Sequence, residues 1–417
     1  MMLFNTLISI FLALFFFLSL KRCDWAIKGI VFFLPAYLVK FSAFGLPTNL
    51  LEGMVAALFL SQLTNLDIKK IVQKIYKNKV LFWGLILLVA GLVVSTVFSS
   101  DPKISLGVIR GWFLVPLLFS LIIADKIDKK TAPDLLKTLF YSGAIVSAIS
   151  IFFLFWGQTT YDGRAFGIFN HPNFLAMYLV PCFLAGLPVF IRKKSTKQFY
   201  LPIFSILIFI AIISTQSIGG LTALFVSFVL YVLLSKDLSK KQKTYLLSAI
   251  LLLLIIISTI LSPKINALIE SDRSSLQSRI TIWGSATMVL KDNWLFGIGP
   301  GNFQTYYLEY QRHFPPYLEW SSPQPHSLFL AFWVQLGAFG FAGFSLILLW
   351  FYKVAAGVLK REVLSTTLIA IMSAVLVHGL VDTTYWKNDL SMMFWLLVGL
   401  MIVISHDHLP SNYKLKE

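Results

Sequence analysis

Apolar stretches of roughly 17 to 25 residues, the length that crosses the hydrocarbon core of a bilayer as helix, recur along the whole chain. They fall near 3–20, 27–43, 47–63, 80–100, 107–124, 134–156, 173–191, 199–214, 219–235, 244–262, 327–352, 363–382 and 391–406, about thirteen where twelve to fourteen are acceptable. Lipid offers a backbone no water to bond, so only helices and closed barrels satisfy it there. No stretch shows the strict alternation of a barrel strand. The expectation is an all-α polytopic membrane protein, and a composition of 57% hydrophobic against 13% charged residues agrees with it. The first three spans are the least regular. Gly45-Leu-Pro47 makes a tight turn among them, and some segments there are short enough to be re-entrant.

The first twenty residues lack a basic leading region and a small-residue cleavage site, and Lys21-Arg22 follows them. They read as a retained span, not a signal peptide. Cys23 and Cys182 lie far apart in or beside apolar segments, so neither a disulfide nor a thiolate metal site is expected from them.

A formal net charge of +16 raises nucleic acid as a partner, and the distribution of the lysines argues against it. They gather at Lys69 to Lys79, at Lys126 to Lys130, at Arg192 to Lys197, at Lys236 to Lys243 and at Lys353 to Arg361. With the spans above, all five groups fall on one side of the membrane, the cytoplasmic side by the positive-inside rule, where they also attract lipid headgroups. The opposite, extracytoplasmic face receives the loops 101–106, 157–172, 215–218, 263–326 and 383–390. The domain reading is one helical membrane domain over 1–406, with the 263–326 loop inserted, and a short cytoplasmic tail at 407–417.

The uncommon polar residues emerge together on that outer face. A loop of about sixty residues in an otherwise compact chain is usually functional or disordered, and its aromatic residues and helical stretch argue against disorder. Nucleotide substrates are cytoplasmic, so an activated substrate on the outer face would be lipid-linked. In Gly163-Arg-Ala-Phe-Gly-Ile-Phe-Asn-His-Pro-Asn173, Pro172 suits the first turn of the following helix and Asn170 or His171 its cap. Arg164 is either a snorkelling anchor or a planar donor fork for phosphate. Thr215-Gln-Ser-Ile-Gly-Gly220 is by itself only a hairpin turn with small packing residues. From Ser278 to Leu290 the spacing predicts a helix lying along the interface, with Trp283 at headgroup depth and Arg279 in the first turn. Gly297-Ile-Gly-Pro-Gly301 lacks the strand that a dinucleotide-binding turn requires and reads as a plain turn. His326, in the proline-flanked turn Pro323-Gln-Pro-His-Ser327, is the leading candidate for proton transfer. His378 and Asp382, four apart on the next helix, are expected to share a face as a hydrogen-bonded pair.

In order, Gly-Arg-x-x-Gly with Asn-x-Pro-Asn173, Ser217 with small residues, Arg279-x-x-x-Trp283, Phe296-Gly-Ile-Gly-Pro-Gly-Asn-Phe303, His326-Ser-Leu-Phe-Leu-Ala and Gln335-Leu-Gly-Ala-Phe-Gly340 follow one another. This succession resembles the O-antigen ligase and polymerase superfamily of bacterial envelope proteins over roughly residues 160–400. The resemblance implies a glycosyltransferase of the GT-C-like type in the bacterial inner membrane. It would move a glycan from an undecaprenyl-diphosphate carrier to an acceptor hydroxyl, on lipid A-core or another glycan, at the periplasmic face, with neither nucleotide nor metal nor other cofactor. His326 would be the catalytic base or orienting group. Arg279, Arg164 and Arg273 would meet the donor diphosphate, with Asn173, Ser217, Trp283 and Asp382 in support. Two positions depart from the family pattern: Ile218 stands where an arginine often follows the serine, and Ser327 where an asparagine often follows the histidine. A transporter reading is weaker, because polar groups gather on one face and no repeat relates the halves.

Overall fold

The computed structural model describes residues 2–43, 45–191, 200–249, 252, 275–315, 319–359 and 362–405. Its described residues are mostly helical, and their only sheet is a hairpin of two four-residue strands. Six helices among them are long and apolar enough to cross a membrane: Leu3–Lys21, Lys79–Val97, Pro102–Lys126, Ala132–Phe155, Leu328–Val358 and Asn388–Ser405. Five shorter apolar helices accompany them, at Leu50–Gln62, Pro172–Pro188, Leu201–Ser214, Ile218–Leu234 and Leu364–Gly379. The chain is an all-α polytopic membrane protein.

The elements follow in order. Helix α1 is Met2–Lys21 and α2 is Cys23–Phe32. A 3-10 turn, Leu34–Leu38, leads to strands β1 (Lys40–Ala43) and β2 (Leu46–Asn49), and α3 is Leu50–Gln62. Then come α4 (Ile68–Lys77), α5 (Lys79–Val97), α6 (Pro102–Val108), a π-helical turn (Ile109–Leu114), α7 (Val115–Lys126) and α8 (Ala132–Phe155). Helix α9 is Pro172–Ile191, α10 Tyr200–Ser214, α11 Ile218–Leu234 and α12 covers 240–249. The last five are α13 (Ser275–Asn293), α14 (Phe303–Tyr310), α15 (Leu328–Val358), α16 (Val363–His378) and α17 (Asn388–Ser405).

Two of the expected spans take another form. The stretch 27–43 is no continuous helix: α2 stops short of Pro35, whose fixed φ and missing N–H suit a turn instead. The chain then enters the hairpin, which reverses at Gly45 with φ +76°. The stretch 47–63 keeps only the thirteen residues of α3, whose first turn is capped by Asn49 accepting from the Glu52 N–H at 3.0 Å. Most of 244–262 lies outside the described residues, as does the tail 407–417.

Helix α17 is the axis of the bundle, its spanning window being 94% buried. A helix apolar all round belongs in such a place. Around it the tightest crossing is that of α5 with α15. A Cβ on Gly91 would fall 2.3 Å from the Gly340 nitrogen, and one on Gly343 2.3 Å from the Leu88 nitrogen. Small residues at these positions let two backbones touch, which is how apolar helices gain packing energy in lipid.

Three of the lysine-rich turns meet at one end of the bundle, while Arg192 to Lys197 lie outside the described residues. Lys74 donates to the Ala124 carbonyl at 2.7 Å, Lys70 pairs with Asp125 at 3.6 Å, and Lys129 with Glu362 at 3.1 Å. The other end is closed by the connections of the sequence-predicted outer loops. Ser100 donates to Asn302 at 3.2 Å, Ala165 N–H to Ser214 at 2.9 Å, and Leu328 N–H to the Gly379 carbonyl at 2.7 Å. Helices α13 and α14 lie over this end on a small core of their own, built from Ile282, Ala286, Val289, Phe303 and Tyr307 with Val334 of α15. The helix expected from Ser278 to Leu290 is present within α13. Protein covers its Ile282, Ala286 and Val289, Leu276 and Ile280 stay exposed, and the Trp283 indole N–H donates to the His326 carbonyl at 3.2 Å.

Candidate active site

The turn carrying His326 is built by its neighbours. Pro323 and Pro325 cannot donate to a helix, and Ser322 Oγ closes the turn on the Gln324 carbonyl at 2.7 Å. His326 itself adopts φ +45°, a left-handed conformation that a side chain enters at a cost of about 1–3 kcal/mol and that clusters at functional sites. Three contacts hold it there. Trp283 bonds its carbonyl, the next helical N–H, that of Leu328, is anchored on Gly379, and its ring is caught by Asp382.

Asp382 follows the end of α16 in a tight turn, where its own N–H donates to the His378 carbonyl at 3.1 Å. Its side chain is 2% exposed and accepts on both oxygens. Oδ1 takes the Thr383 N–H at 2.9 Å and His326 Nδ1 at 3.1 Å; Oδ2 takes Asn173 Nδ2 at 3.0 Å. Burial pushes the Asp382 carboxyl up, but the hydrogen bond from His326 and the neighbouring positive charges, Arg279 among them, outweigh it and hold the group below the usual carboxylate range. An ionised carboxylate only accepts, so the imidazole nitrogen facing it, Nδ1, carries the proton. In the neutral ring the other nitrogen, Nε2, offers its lone pair, on a side chain 34% exposed.

Two guanidiniums flank this pair. Arg164 Nε donates to the Thr215 carbonyl at 2.8 Å and its Nη2 to Asn173 Oδ1 at 3.0 Å, so Asn173 bridges Arg164 to Asp382. Arg279 Nε donates to the Val381 carbonyl at 2.8 Å, and its Nη2 lies 3.8 Å from Asp382 Oδ2. The Arg164 pKa is lowered first by burial and further by the charge of Arg279, while the Asp162 carboxylate, 4.0 Å away, pulls it up. Two permanent cations kept within electrostatic reach of each other at a partly open surface make a place for an anion.

The sequence-predicted residues therefore converge in part. His326, Arg279, Arg164, Asn173, Trp283 and Asp382 form one connected network. Ser217 does another job: buried, it caps α11 by accepting the Gly220 N–H at 3.3 Å, and the preceding Gln216 sits at φ +49°. Ile218, at the position of the missing arginine, is 69% exposed. His171 is the residue that caps α9, accepting the Asn173 N–H on Nδ1 at 3.1 Å. Arg273 lies outside the described residues.

The expected pairing of His378 with Asp382 is corrected. The two are joined through the backbone, by the Asp382 N–H on the His378 carbonyl, whereas the carboxylate oxygens are taken by His326, Asn173 and the Thr383 N–H. His378 is buried against α11, where a Cβ on Gly219 would fall 2.9 Å from its ring. What sequence spacing missed was Asp382 as the partner of a histidine 56 positions earlier, and Asn173 as a bridge over 209 positions. The only signal was a carboxylate and an amide at the polar ends of apolar helices, where such groups need partners.

The glycine run is a docking loop. Gly297, Gly299 and Gly301 all have φ between +74° and +86°. Ile298 and Gly299 N–H groups bond the Val334 and Gln335 carbonyls at 3.0 Å, and Gln335 Oε1 takes the Gly301 N–H at 2.7 Å. Helix α15 breaks at Gly337, φ +64°, to receive it. A Cβ on Gly337 would fall 2.3 Å from the Leu295 carbonyl oxygen. The short half-helix before that break, starting at Leu328, directly follows His326.

No curated protein matches the chain. A family model described as O-antigen ligase matches residues 203–345, a span that contains Ser217, Arg273, Arg279, Trp283 and His326 and leaves Arg164, Asn173 and Asp382 outside it. This match, together with the polytopic helical fold, supports the likeness to the O-antigen ligase superfamily that the motifs carry.

Proposed function

We propose that the protein is an O-antigen ligase-like glycosyltransferase. It moves a glycan from an undecaprenyl-diphosphate carrier to an acceptor hydroxyl, on lipid A-core or a similar glycan, at the extracytoplasmic face of the bacterial inner membrane. The observation that carries the reading is the buried Asp382 carboxylate with His326 on one oxygen and Asn173, leading to Arg164, on the other, beside Arg279. The placement of the face rests on the lysine-rich turns at the opposite end of the bundle and on the positive-inside rule.

In this mechanism His326 Nε2 takes the proton of the acceptor hydroxyl as that oxygen bonds the anomeric carbon. The bond from that carbon to the carrier phosphate oxygen breaks, and the electron pair leaves with the diphosphate. Asp382 keeps the Nδ1 proton in place and stabilises the imidazolium that forms. Arg279 and Arg164, with Arg273 as a third cation in the same reading, meet the growing charge on the leaving group. Preorganised charge of this kind is usually the largest single contribution to catalysis. A single displacement inverts the sugar carbon. The guanidiniums do the work that a divalent cation does elsewhere, so no metal is required.

The test is a bacterial strain lacking its own ligase, expressing the native chain or His326→Ala at equal membrane levels. Polymer appearing on lipid A-core with the native chain alone supports the ligase. Carrier-linked glycan that only grows longer would make the protein a polymerase of the same superfamily. Equal transfer by both forms would remove His326 from the mechanism.

A further inference from the structure

A second polar concavity, of about 450 Å³, lies across a thin wall from the His326–Asp382 pair. The wall consists of two short segments that serve both sides. Asn173 faces Asp382, while Phe174 and Asn170 line the concavity; Asp382 faces His326, while Lys387 and Asn388 line the concavity. Its far side is formed by the hairpin and the π-helical turn, through Lys40, Arg110 and Trp112.

The charge of this concavity is unbalanced. Its one lining carboxylate, Glu52, is consumed. It pairs with Arg110 at 3.3 Å and accepts from Thr48, Asn49 and Asn388 at 2.8 to 3.0 Å. Lys387 is the opposite case. Its ammonium sits in a cage of rings, 4.0 Å from the centre of Phe174, 4.6 Å from Phe169 and 5.1 Å from Tyr37. Asp389, fully buried two residues on, accepts no hydrogen bond from it among the described residues. Burial lowers the Lys387 pKa, against which the Asp389 charge pulls it up. Cation–π contacts hold the ammonium in position without neutralising it. A desolvated cation held this way is repaid by an incoming anion.

We propose that this concavity binds an anionic sugar of the acceptor, one bearing a phosphate or a carboxylate, with Lys387 taking the charge and Trp112 and Tyr37 the ring. The assignment to the acceptor rests on the function proposed above. There the donor diphosphate is met by Arg164 and Arg279 on the other side of the wall, so a second set of cations serves the second substrate.

The experiment uses the purified full chain in nanodiscs of phosphatidylcholine, titrated by calorimetry with glucose 1-phosphate, glucuronate, glucose and inorganic phosphate. Either charged sugar binds at least tenfold more tightly than glucose. Lys387→Met, which fills the cage without the charge, removes that preference; Lys387→Arg restores most of it. His326→Ala leaves all these affinities unchanged while transfer is lost, so failure of the catalytic reading and failure of this one are separable. In transfer assays, Lys387→Met raises KM for an acidic acceptor about tenfold and leaves kcat and the donor KM in place. Inorganic phosphate binding as tightly as glucose 1-phosphate would overturn the assignment to a sugar. Charged sugars bound equally by the native chain and by Lys387→Met would overturn the site.

Discussion

At the scale of single residues the account turns on one carboxylate. Asp382 fixes the tautomer of His326 and anchors Asn173, which in turn holds Arg164. His326→Ala should lower the rate of transfer by about 10²- to 10⁴-fold, the range of general-base contributions. Asp382→Asn should fall in the same range, since an amide no longer stabilises the imidazolium. Asn173→Ala leaves Asp382 Oδ2 and Arg164 each short of a partner and should cost about 1–3 kcal/mol of stability, read by thermal unfolding in detergent. The Asp382 carboxyl is depressed in the fold, so its contribution to stability is complete above the unfolded carboxylate value near 3.9 and is lost as pH falls through the lower folded one. The stability gap between the native chain and Asp382→Asn should thus still be present at about pH 5 and close only below about pH 4. A gap that closes already between pH 7 and 5 would contradict the assignment. His326 and the two arginines were legible in the sequence because charged or titratable residues in outer turns of an apolar chain are conspicuous. The partner of His326 was not, because helix spacing pointed Asp382 at His378 and a contact across 56 positions leaves no local pattern.

At the scale of elements, two glycine contacts set the frame for the site. Gly337 breaks α15 so that the 295–301 loop can dock on the half-helix that follows His326. Gly337→Ala puts a Cβ against a backbone carbonyl oxygen at a positive φ and should destabilise by about 1–3 kcal/mol from backbone strain alone, with a loss of transfer as the loop lifts. Gly357→Ala in the same helix meets nothing within 4 Å and should be neutral or slightly stabilising, measured in the same unfolding experiment. The sequence showed a turn at Gly297 to Gly301 but not its dock, because a helix break inside an unbroken apolar run leaves no mark in hydropathy. For the same reason the spans 27–43 and 47–63 looked continuous, although Pro35, Gly45 and Pro47 carry the local instructions for a turn and a hairpin. Helix α13 was legible as a helix, but its packing of Ile282, Ala286 and Val289 on Val334 was not, since an apolar residue does not say what covers it.

At the scale of the whole molecule, the lysine-rich turns and the polar network stand at opposite ends of one bundle, and that separation was readable from charge and span order alone. It predicts that, in a chain with Cys23 and Cys182 replaced, a cysteine at Asp162 is labelled by an impermeant thiol reagent in spheroplasts, whereas one at Lys240 is labelled only after the membrane is opened. The reverse pattern would turn the site towards the cytoplasm and remove the lipid-linked donor from the account. The central claim is that a histidine held by Asp382, with arginines in place of a metal, transfers a glycan from a polyprenyl-diphosphate carrier. Its most direct test is transfer in proteoliposomes containing only the purified chain, a carrier-linked glycan and an acceptor glycolipid, with and without EDTA. The account predicts product at the same rate in both, and a loss of about 10²-fold or more with His326→Ala; a rate that EDTA abolishes, or one that His326→Ala leaves intact, would contradict it.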